Sequence, residues 1–329
     1  MPDHPPASSL TNDTVRPLAL RVLAIVSLIT GGVLLVAWIA GRVLSDRWIW
    51  SQWLLWLPPL TVVPGFLLLA VGARLLHRRK RVVLILCGAA ILGPIGEFVH
   101  LWRPGVLPEM TPSHLRLLHW TAGPQMRSTV VLAKAIDHAK PDVVVVLGAR
   151  RAAAGEALAN WGIVPGPLAR GEFMIFSRIP VRSCRSLARS EDIQLVLLRL
   201  APEGRSPITL LLLDLPSDPW RSRWAVAAVT RHLTSLTLDV APDLVLGDFN
   251  MTQESRAMRS ILPGWRTAWP TGGRGWGGTW PRRLPLWRID HVLVHPGGEM
   301  PIVATFDPGE GRHRAQIIDM PLQPASPQN

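Results

Sequence analysis

The 329-residue sequence contains no tyrosine, only two cysteines and, among 35 basic residues, only three lysines (Lys80, Lys134 and Lys140). Cys87 lies in an apolar run and Cys184 in the polar half, which excludes a disulfide framework and a cysteine-based zinc site. The missing tyrosine and scarce lysine, beside 15 tryptophans, read as coding bias. A net charge of +12 is therefore a weak pointer to nucleic acid. Charge itself is scarce: Asp, Glu, Lys and Arg make up 18% of the chain, against roughly 25% in ordinary soluble domains. With 48% hydrophobic residues, part of this chain avoids water. The excess charge divides evenly, +6 in residues 1–103 and +6 in 104–329.

What is present falls into two regions, as expected from about 150 residues per domain. After a tail over 1–21, three long apolar runs occupy 22–102, at about 22–41, 48–73 and 82–102. Val22 to Gly41 is 20 uncharged residues and Trp48 to Ala73 is 26, each long enough to cross a bilayer, and Val82 to Trp102 is interrupted only by Glu97 and His100. No small-x-small site follows the first run and two more runs come after it, so it reads as a span rather than a cleaved signal. The loop holding Arg74 and His77 to Arg81 is far more basic than the one holding Arg42 and Arg47. The positive-inside rule then predicts a multi-pass integral membrane protein with a cytoplasmic N-terminus and everything after Trp102 extracytoplasmic. Trp48, Trp50, Trp53 and Trp56 would form an aromatic belt at the outer surface, although a packed helix interface would use the same residues.

A linker over 103–114 leads into a soluble α/β domain over 115–322, followed by a disordered tail over 323–329. Short apolar runs (Leu115–Trp120, Val143–Leu147, Phe173–Phe176, Ile193–Arg199, Ile208–Leu213, Leu244–Leu246, Val292–Val294) read as strands buried on both faces. Leu132, Ala133, Ile136 and Ala139 share one helical face, and Val226, Val229, Leu233 and Leu236 another.

Gly247-Asp248-Phe249-Asn250 follows one of these strands, presenting a carboxylate and an amide where α/β sheets place ligands. Alone, this is also what a turn satisfying its own backbone would look like. Asp290, in Trp287-Arg288-Ile289-Asp290-His291, comes 40 residues after Asn250, and His313 a further 23 on. The three together are far more specific. Gly272 to Gly278 is glycine-rich, either a phosphate-approaching backbone or, more simply, a flexible surface loop. Trp265, Trp269, Trp276, Trp280 and Trp287 read mostly as core, with stacking on a base or headgroup as the alternative; His138 and His232 sit on helix surfaces without a role.

Over about Leu115 to Leu322 the chain resembles the endonuclease/exonuclease/phosphatase family. Leu115 to Trp120 is similar to that family's first strand, Ser177-Arg178-Ile179-Pro180-Val181 to its S-R-x-P-[IV] segment, and Gly247 to Asn250 to G-D-F-N. Thr279-Trp280-Pro281 with Arg288 to His291 resembles T-W-P and R-I-D-[HY]. The three-span anchor is also similar to the teicoplanin-resistance membrane proteins of the family. The resemblance implies three transmembrane helices followed by a four-layer α/β sandwich, and a phosphoesterase using a divalent cation, Mg2+, with water as nucleophile. It implies Asp248 as base, Asn250 and His313 on phosphate, and Asp290 orienting a partner.

The chain departs from that pattern. Thr121 stands where the family has Asn, Gly148 or Ala149 where it has the metal-binding Glu, Asp214 or its neighbour where it has a His, and Arg312 where an Asp precedes His313. The nearest acidic residues after the missing Glu are Glu156 and Glu172, with Arg150 and Arg151 between. The site thereby shifts from one built for a dication toward one built for an anion, held by Asn250, Arg312 and His313. Alternatively, Arg312 pairs with Asp248 or Asp290 as a structural ion pair. The two functional readings are a membrane-anchored phosphoester hydrolase with a degenerate metal site, and an inactive relative needing no cofactor that binds a phosphorylated or anionic ligand or a protein. The expected partners are the membrane and a phosphorylated small molecule, lipid or cell-envelope precursor; nucleic acid is less favoured.

Overall fold

The computed structural model describes residues 12–76, 80–109, 111–124, 126, 128–149, 158, 161, 168–189 and 193–325. The chain forms two compact units: one made of residues up to Leu44 together with Trp53–Phe98, the other of Ser45–Gln52 together with Val99 onward.

In the first unit, α1 (Asn12–Leu44), α3 (Val62–Leu75) and α4 (Lys80–Leu101) are the main helices, with the short α2 (Ile49–Leu55) bridging from the second unit. Small residues let α1 and α3 approach closely: a side chain on Gly31 would meet the Gly65 carbonyl oxygen at 2.7 Å, and one on Gly72 the Ala24 carbonyl at 2.8 Å. Among the described residues two helices, Leu18–Leu44 and Lys80–Leu101, are long and apolar enough to cross a membrane. Only 22% and 6% of these windows are buried, whereas the core helix of a soluble protein is mostly buried. They coincide with the first and third expected spans. The second, 48–73, is not one continuous helix: the chain is helical over Ile49–Leu55, breaks at Pro58 and resumes through a 3₁₀ turn into α3, whose 14 residues fall short of the roughly 20 of an ordinary spanning helix. Pro58 and Pro59 bring no N–H to a helix, and a proline pushes the residue before it out of the helical region. His77, Arg78 and Arg79 of the basic loop lie outside the described residues.

The second unit is a two-sheet α/β sandwich. Its strands are β1 (Trp102–Arg103), β2 (His114–Thr121), β3 (Val143–Leu147), β4 (Leu168–Arg170), β5 (Phe173–Ser177), β6 (Val181–Arg189), β7 (Gln194–Leu200) and β8 (Ile208–Asp214). They continue with β9 (Leu244–Asp248), β10 (Arg266–Thr267), β11 (Gly273–Trp276), β12 (Asp290–Val294), β13 (Ile302–Phe306) and β14 (Ala315–Pro321). One sheet has eight strands in the order β1-β11-β13-β14-β2-β3-β5-β4, the other six in the order β10-β12-β9-β8-β7-β6. Alternate residues of the central strands (Leu115, Leu117, Val143, Val145, Leu210, Leu212, Leu244, Leu246) fill the layer between the sheets. The intervening residues face outward, Leu118, Trp120, Val144 and Val146 under α5 (Thr129–Ala139), and Leu211, Leu213 and Val245 under α6 (Arg223–Thr237) and α7 (Arg256–Ile261). Burial on both faces explains why these strands read as unbroken apolar runs.

The helical faces differ in detail from the expected ones. α5 buries Ala135 with Leu132, Ile136 and Ala139, while Ala133 is only partly covered. α6 buries Val226, Ala227, Thr230 and Thr234, while Val229 and Leu236 are exposed. The threonines tolerate burial because their hydroxyls donate inside the helix, Thr230 to Val226 O and Thr234 to Arg231 O. The glycine-rich segment is neither a flexible loop nor a phosphate cradle. Gly273 to Trp276 is β11, and side chains on Gly273 or Gly277 would collide with the buried Trp269 indole. At the far end, Ser206 N donates to Gln323 O and Arg205 bridges Pro324, so residues 323–325 are tied to the sandwich; 326–329 lie outside the described residues.

Candidate active site

The strand register assembles the site. Asp290, Asp248, Asp214 and Gln194 stand directly opposite one another across β12, β9, β8 and β7. Each shares the inward parity of its strand with apolar core residues (Val292, Leu246, Leu212, Val196). The inter-sheet layer is thus apolar along its length and closes in carboxylates at one end. On the facing sheet the same row is His119 and Thr121 of β2, with Gln316 of β14 opposite His119.

His313 joins the row from the loop before β14. Its Nδ1 lies 2.8 Å from Asp290 Oδ2, and its Nε2 3.8 Å from Asp248 Oδ2; all three residues are buried. Asp290 Oδ1 accepts the Thr121 hydroxyl at 2.6 Å, so both oxygens are engaged. The Thr279 hydroxyl oxygen accepts the Ile289 and Asp290 N–H groups, fixing the entry to β12. Asp248 Oδ1 accepts the Asn250 N–H at 2.9 Å, a bond made possible by the left-handed turn at Asn250 (φ 48). The Asn250 side-chain amide donates to Leu215 O at 2.7 Å, so it ties the loop after β8 to the loop after β9. Gly247 is required because a Cβ there would overlap the Leu213 carbonyl of the neighbouring strand.

Burial and mutual charge set the protonation states. Burial and the neighbouring Asp290 push the Asp248 carboxyl up to about 8, and burial with Glu172 pushes Asp214 up to about 7. Burial acts against charge on Asp290 too, but His313 outweighs it and holds Asp290 well below the ordinary carboxylate range. The His313 imidazole is desolvated, yet Asp290 and Asp248 lift it to about 9. At neutral pH the pair is an imidazolium on a carboxylate, facing a carboxyl group that titrates near neutrality.

The structure brings together Asp248, Asn250, Asp290 and His313. Arg312 is exposed, and no hydrogen bond or ion pair joins its guanidinium to Asp248, Asp290 or Asn250; its charge acts on His313 from the rim. The structural ion pair expected as an alternative is therefore not formed. Arg150, Arg151 and Glu156 lie outside the described residues, whereas Glu172 is exposed and its charge reaches Asp214. His119 and Gln316 were not singled out from the sequence. Gln316 Nε2 donates to Asp290 O while Oε1 meets His119 Nδ1 at 3.2 Å; burial lowers the His119 pKa, keeping it neutral. Their signal was parity: both are polar residues at inward positions of buried strands. Arg288 is a structural residue, buried 4.4 Å from the Trp269 ring centroid and donating to Gly277 O.

A two-sheet sandwich ending in an aspartate row with a histidine clamped on one member defines a phosphoesterase-type α/β fold. Residues 106–313 match the Endonuclease/Exonuclease/phosphatase family, and the chain belongs to it. An endonuclease/exonuclease/phosphatase family protein from Bacteroides thetaiotaomicron superposes with a TM-score of 0.50 at 12% identity, over 64% of this chain and 98% of its own. A mannosyl-6-phosphatase from the same organism gives 0.48 at 11% over 62% and 98%, and an AP endonuclease from Archaeoglobus fulgidus 0.48 at 14% over 62% and 98%. Such identities speak to fold alone. No curated protein matches the chain.

Family members hold a divalent cation, and magnesium favours an octahedral set of oxygens. Asp248, Asp290 and His313 do offer ligand atoms within 4.8 Å of one another. One of the three is a nitrogen, however, and its imidazole already bonds Asp290, whose oxygens are both taken. At the family's glutamate position Ala149 belongs to an apolar cluster, and Gly148 (φ 70) is pressed against Gly123. Among the described residues this donor set does not fit the family's magnesium cage, and His313, its proton held by Asp290 and Asp248, lies between the two aspartates.

Proposed function

We propose that the sandwich is a phosphoester hydrolase with a degenerate metal site, anchored to a membrane as the teicoplanin-resistance branch of the family is. Its N-terminus is cytoplasmic and its sandwich extracytoplasmic, a sidedness that needs three crossings and so requires the apolar stretch leading into α3 to cross with α1 and α4. The reading rests chiefly on one observation, the Asp290–His313 pair at 2.8 Å with Nε2 turned to within 3.8 Å of Asp248. Asp248, whose raised pKa makes it a stronger base than a free carboxylate, takes the proton of a water molecule. The water oxygen bonds to phosphorus as the ester P–O bond breaks, the departing oxygen takes a proton from solvent, and protonated His313, oriented by Asp290, hydrogen-bonds a phosphoryl oxygen and offsets the charge that builds there. Arg312 adds attraction at the rim, and the second N–H of the Asn250 amide is the remaining donor. The substrate class is a phosphorylated small molecule, lipid or cell-envelope precursor.

The absence of any carboxylate at Gly148 or Ala149 favours a second reading, an inactive member that binds the phosphorylated ligand without turnover. The purified full chain, assayed on p-nitrophenyl phosphate and bis(p-nitrophenyl) phosphate with and without chelator, separates the two. Chelator-resistant turnover abolished by Asp248→Asn supports the hydrolase. Inorganic phosphate binding without turnover supports the second reading, and loss of turnover in chelator overturns the metal-free chemistry.

A further inference from the structure

Ser45 to Gln52 is turned inside out for a loop in water. Four of its five polar residues are buried, Ser45, Asp46, Ser51 and Gln52 at 2% exposure or less, while Arg47, Trp48 (43%), Ile49 (45%) and Trp50 (54%) are exposed. In water the distribution runs the other way, since apolar burial is the dominant gain.

The loop is held in this state by the sandwich unit it belongs to. Asp46 accepts the Ser255 hydroxyl and the Arg256 and Ala257 N–H groups, capping α7, and the Ser45 hydroxyl donates to Glu254 O. Gln52 donates to Pro219 O and Arg221 O and accepts the Arg223 N–H at the start of α6. Those bonds bracket Trp220, which is 71% exposed, and adjoin Trp224, at 37%. Two segments about 170 residues apart are thereby held side by side, each carrying exposed tryptophans. The Trp48 and Trp50 rings stack at 5.4 Å, and the Arg47 guanidinium lies 4.9 Å from the Trp48 ring centroid.

We infer that this face, Trp48, Ile49 and Trp50 with Trp220 and Trp224, is a membrane-docking surface of the sandwich unit, and that its occupant is the headgroup layer of a lipid bilayer. Continuity selects lipid over a protein. Ser45 directly follows Leu44, the last residue of a helix long and apolar enough to cross a membrane. Tryptophan favours the boundary between acyl chains and headgroups because its ring is apolar and its N–H polar, and an arginine beside it suits lipid phosphate. The face also lies close to the site in sequence. Asp214 is six residues before Trp220, at most about 20 Å of extended chain.

The test uses the full chain in vesicles of phosphatidylcholine and phosphatidylglycerol, with Cys87→Ser and Cys184→Ser as background. Single cysteines replace Trp220, Trp224 or Val240 and carry an NBD fluorophore; nitroxide on the lipid headgroup is the quencher. Val240 is the control, 40% exposed and beyond the far end of α6, about 22 Å along a 15-residue helix. The Trp220 and Trp224 probes should lose most of their emission and the Val240 probe little. If either tryptophan substitution prevents folding, the other gives the same reading. Quenching at neither site beyond that at Val240, or shielding that tracks protein concentration rather than lipid, overturns the inference. The readout requires no turnover, so it stands or falls apart from the hydrolase reading.

Discussion

Asp248 and Asp290 face one another across the β9–β12 ladder as a directly opposed, buried pair of carboxyl groups. Like charges in that position repel, and burial sharpens the repulsion. The contact that relieves it is His313, which bonds Asp290 at 2.8 Å and approaches Asp248 at 3.8 Å. The histidine is thus as much a condition of the fold at this end of the sandwich as the donor of the proposed chemistry.

His313→Gln should accordingly cost about 3–5 kcal/mol, the range for removing one partner of a buried ion pair. Adding Asp290→Asn should recover part of that, because the uncompensated charge is gone. Chemical denaturation of the single and double variants measures both. A single variant within about 0.5 kcal/mol of the parent would show that the pair carries no stability.

Stability should fall with rising pH in chelator. Asp214, Asp248 and His313 have folded values of about 7, 8 and 9, each above its unfolded value. Their protons are bound more tightly in the folded state, so their contribution is full below the unfolded values and lost as pH climbs through the folded ones. Asp290 is lowered and acts oppositely, losing its contribution only when pH falls below the ordinary carboxylate range. Thermal melting should therefore decline from about pH 4 to about pH 9, and Asp248→Asn should flatten the slope below about pH 8. A rise over the same interval contradicts the assignment.

If turnover is found, its rate should peak on the alkaline side. Asp248 must be unprotonated to act as base and His313 protonated to act as donor, which confines activity to the interval around pH 8 to 9. A pH–rate profile with its maximum below about 7 would reassign the base.

Magnesium should bind weakly. Isothermal titration of the full chain should show an affinity lower than an intact family member's by more than the roughly 10–100-fold typical of losing one outer-sphere partner. Ala149→Glu with Arg312→Asp should strengthen it, and tight binding by the natural chain would mean that another carboxylate, Asp214 first, completes a cage.

Arg312→Ala should change inorganic phosphate affinity by less than about 1 kcal/mol, the scale of exposed charge contacts, and the difference should vanish at high salt. A larger, salt-resistant loss would place the guanidinium inside the site.

The sequence by itself determined the sandwich and four members of its site. Strands buried on both faces can only be written as apolar runs, and a carboxylate that ends such a run, as Asp248 does, marks the end of the core. The G-D-F-N and R-I-D-H segments and His313 were legible because each is a local pattern. The broken second apolar segment was foreshadowed by Pro58 and Pro59, yet a count of uncharged residues does not register the backbone hydrogen bond that a proline removes. Only the tertiary structure decided what depends on register and on distant packing. Asp214, His119 and Gln316 enter the site because neighbouring strands set them level with Asp248 and Asp290. The Trp269 indole turns the glycine-rich segment into a strand by excluding side chains there. Asp46 and Gln52, which look like a connection between apolar helices, are components of the sandwich because two helix N-termini more than 160 residues away present unsatisfied N–H groups to them.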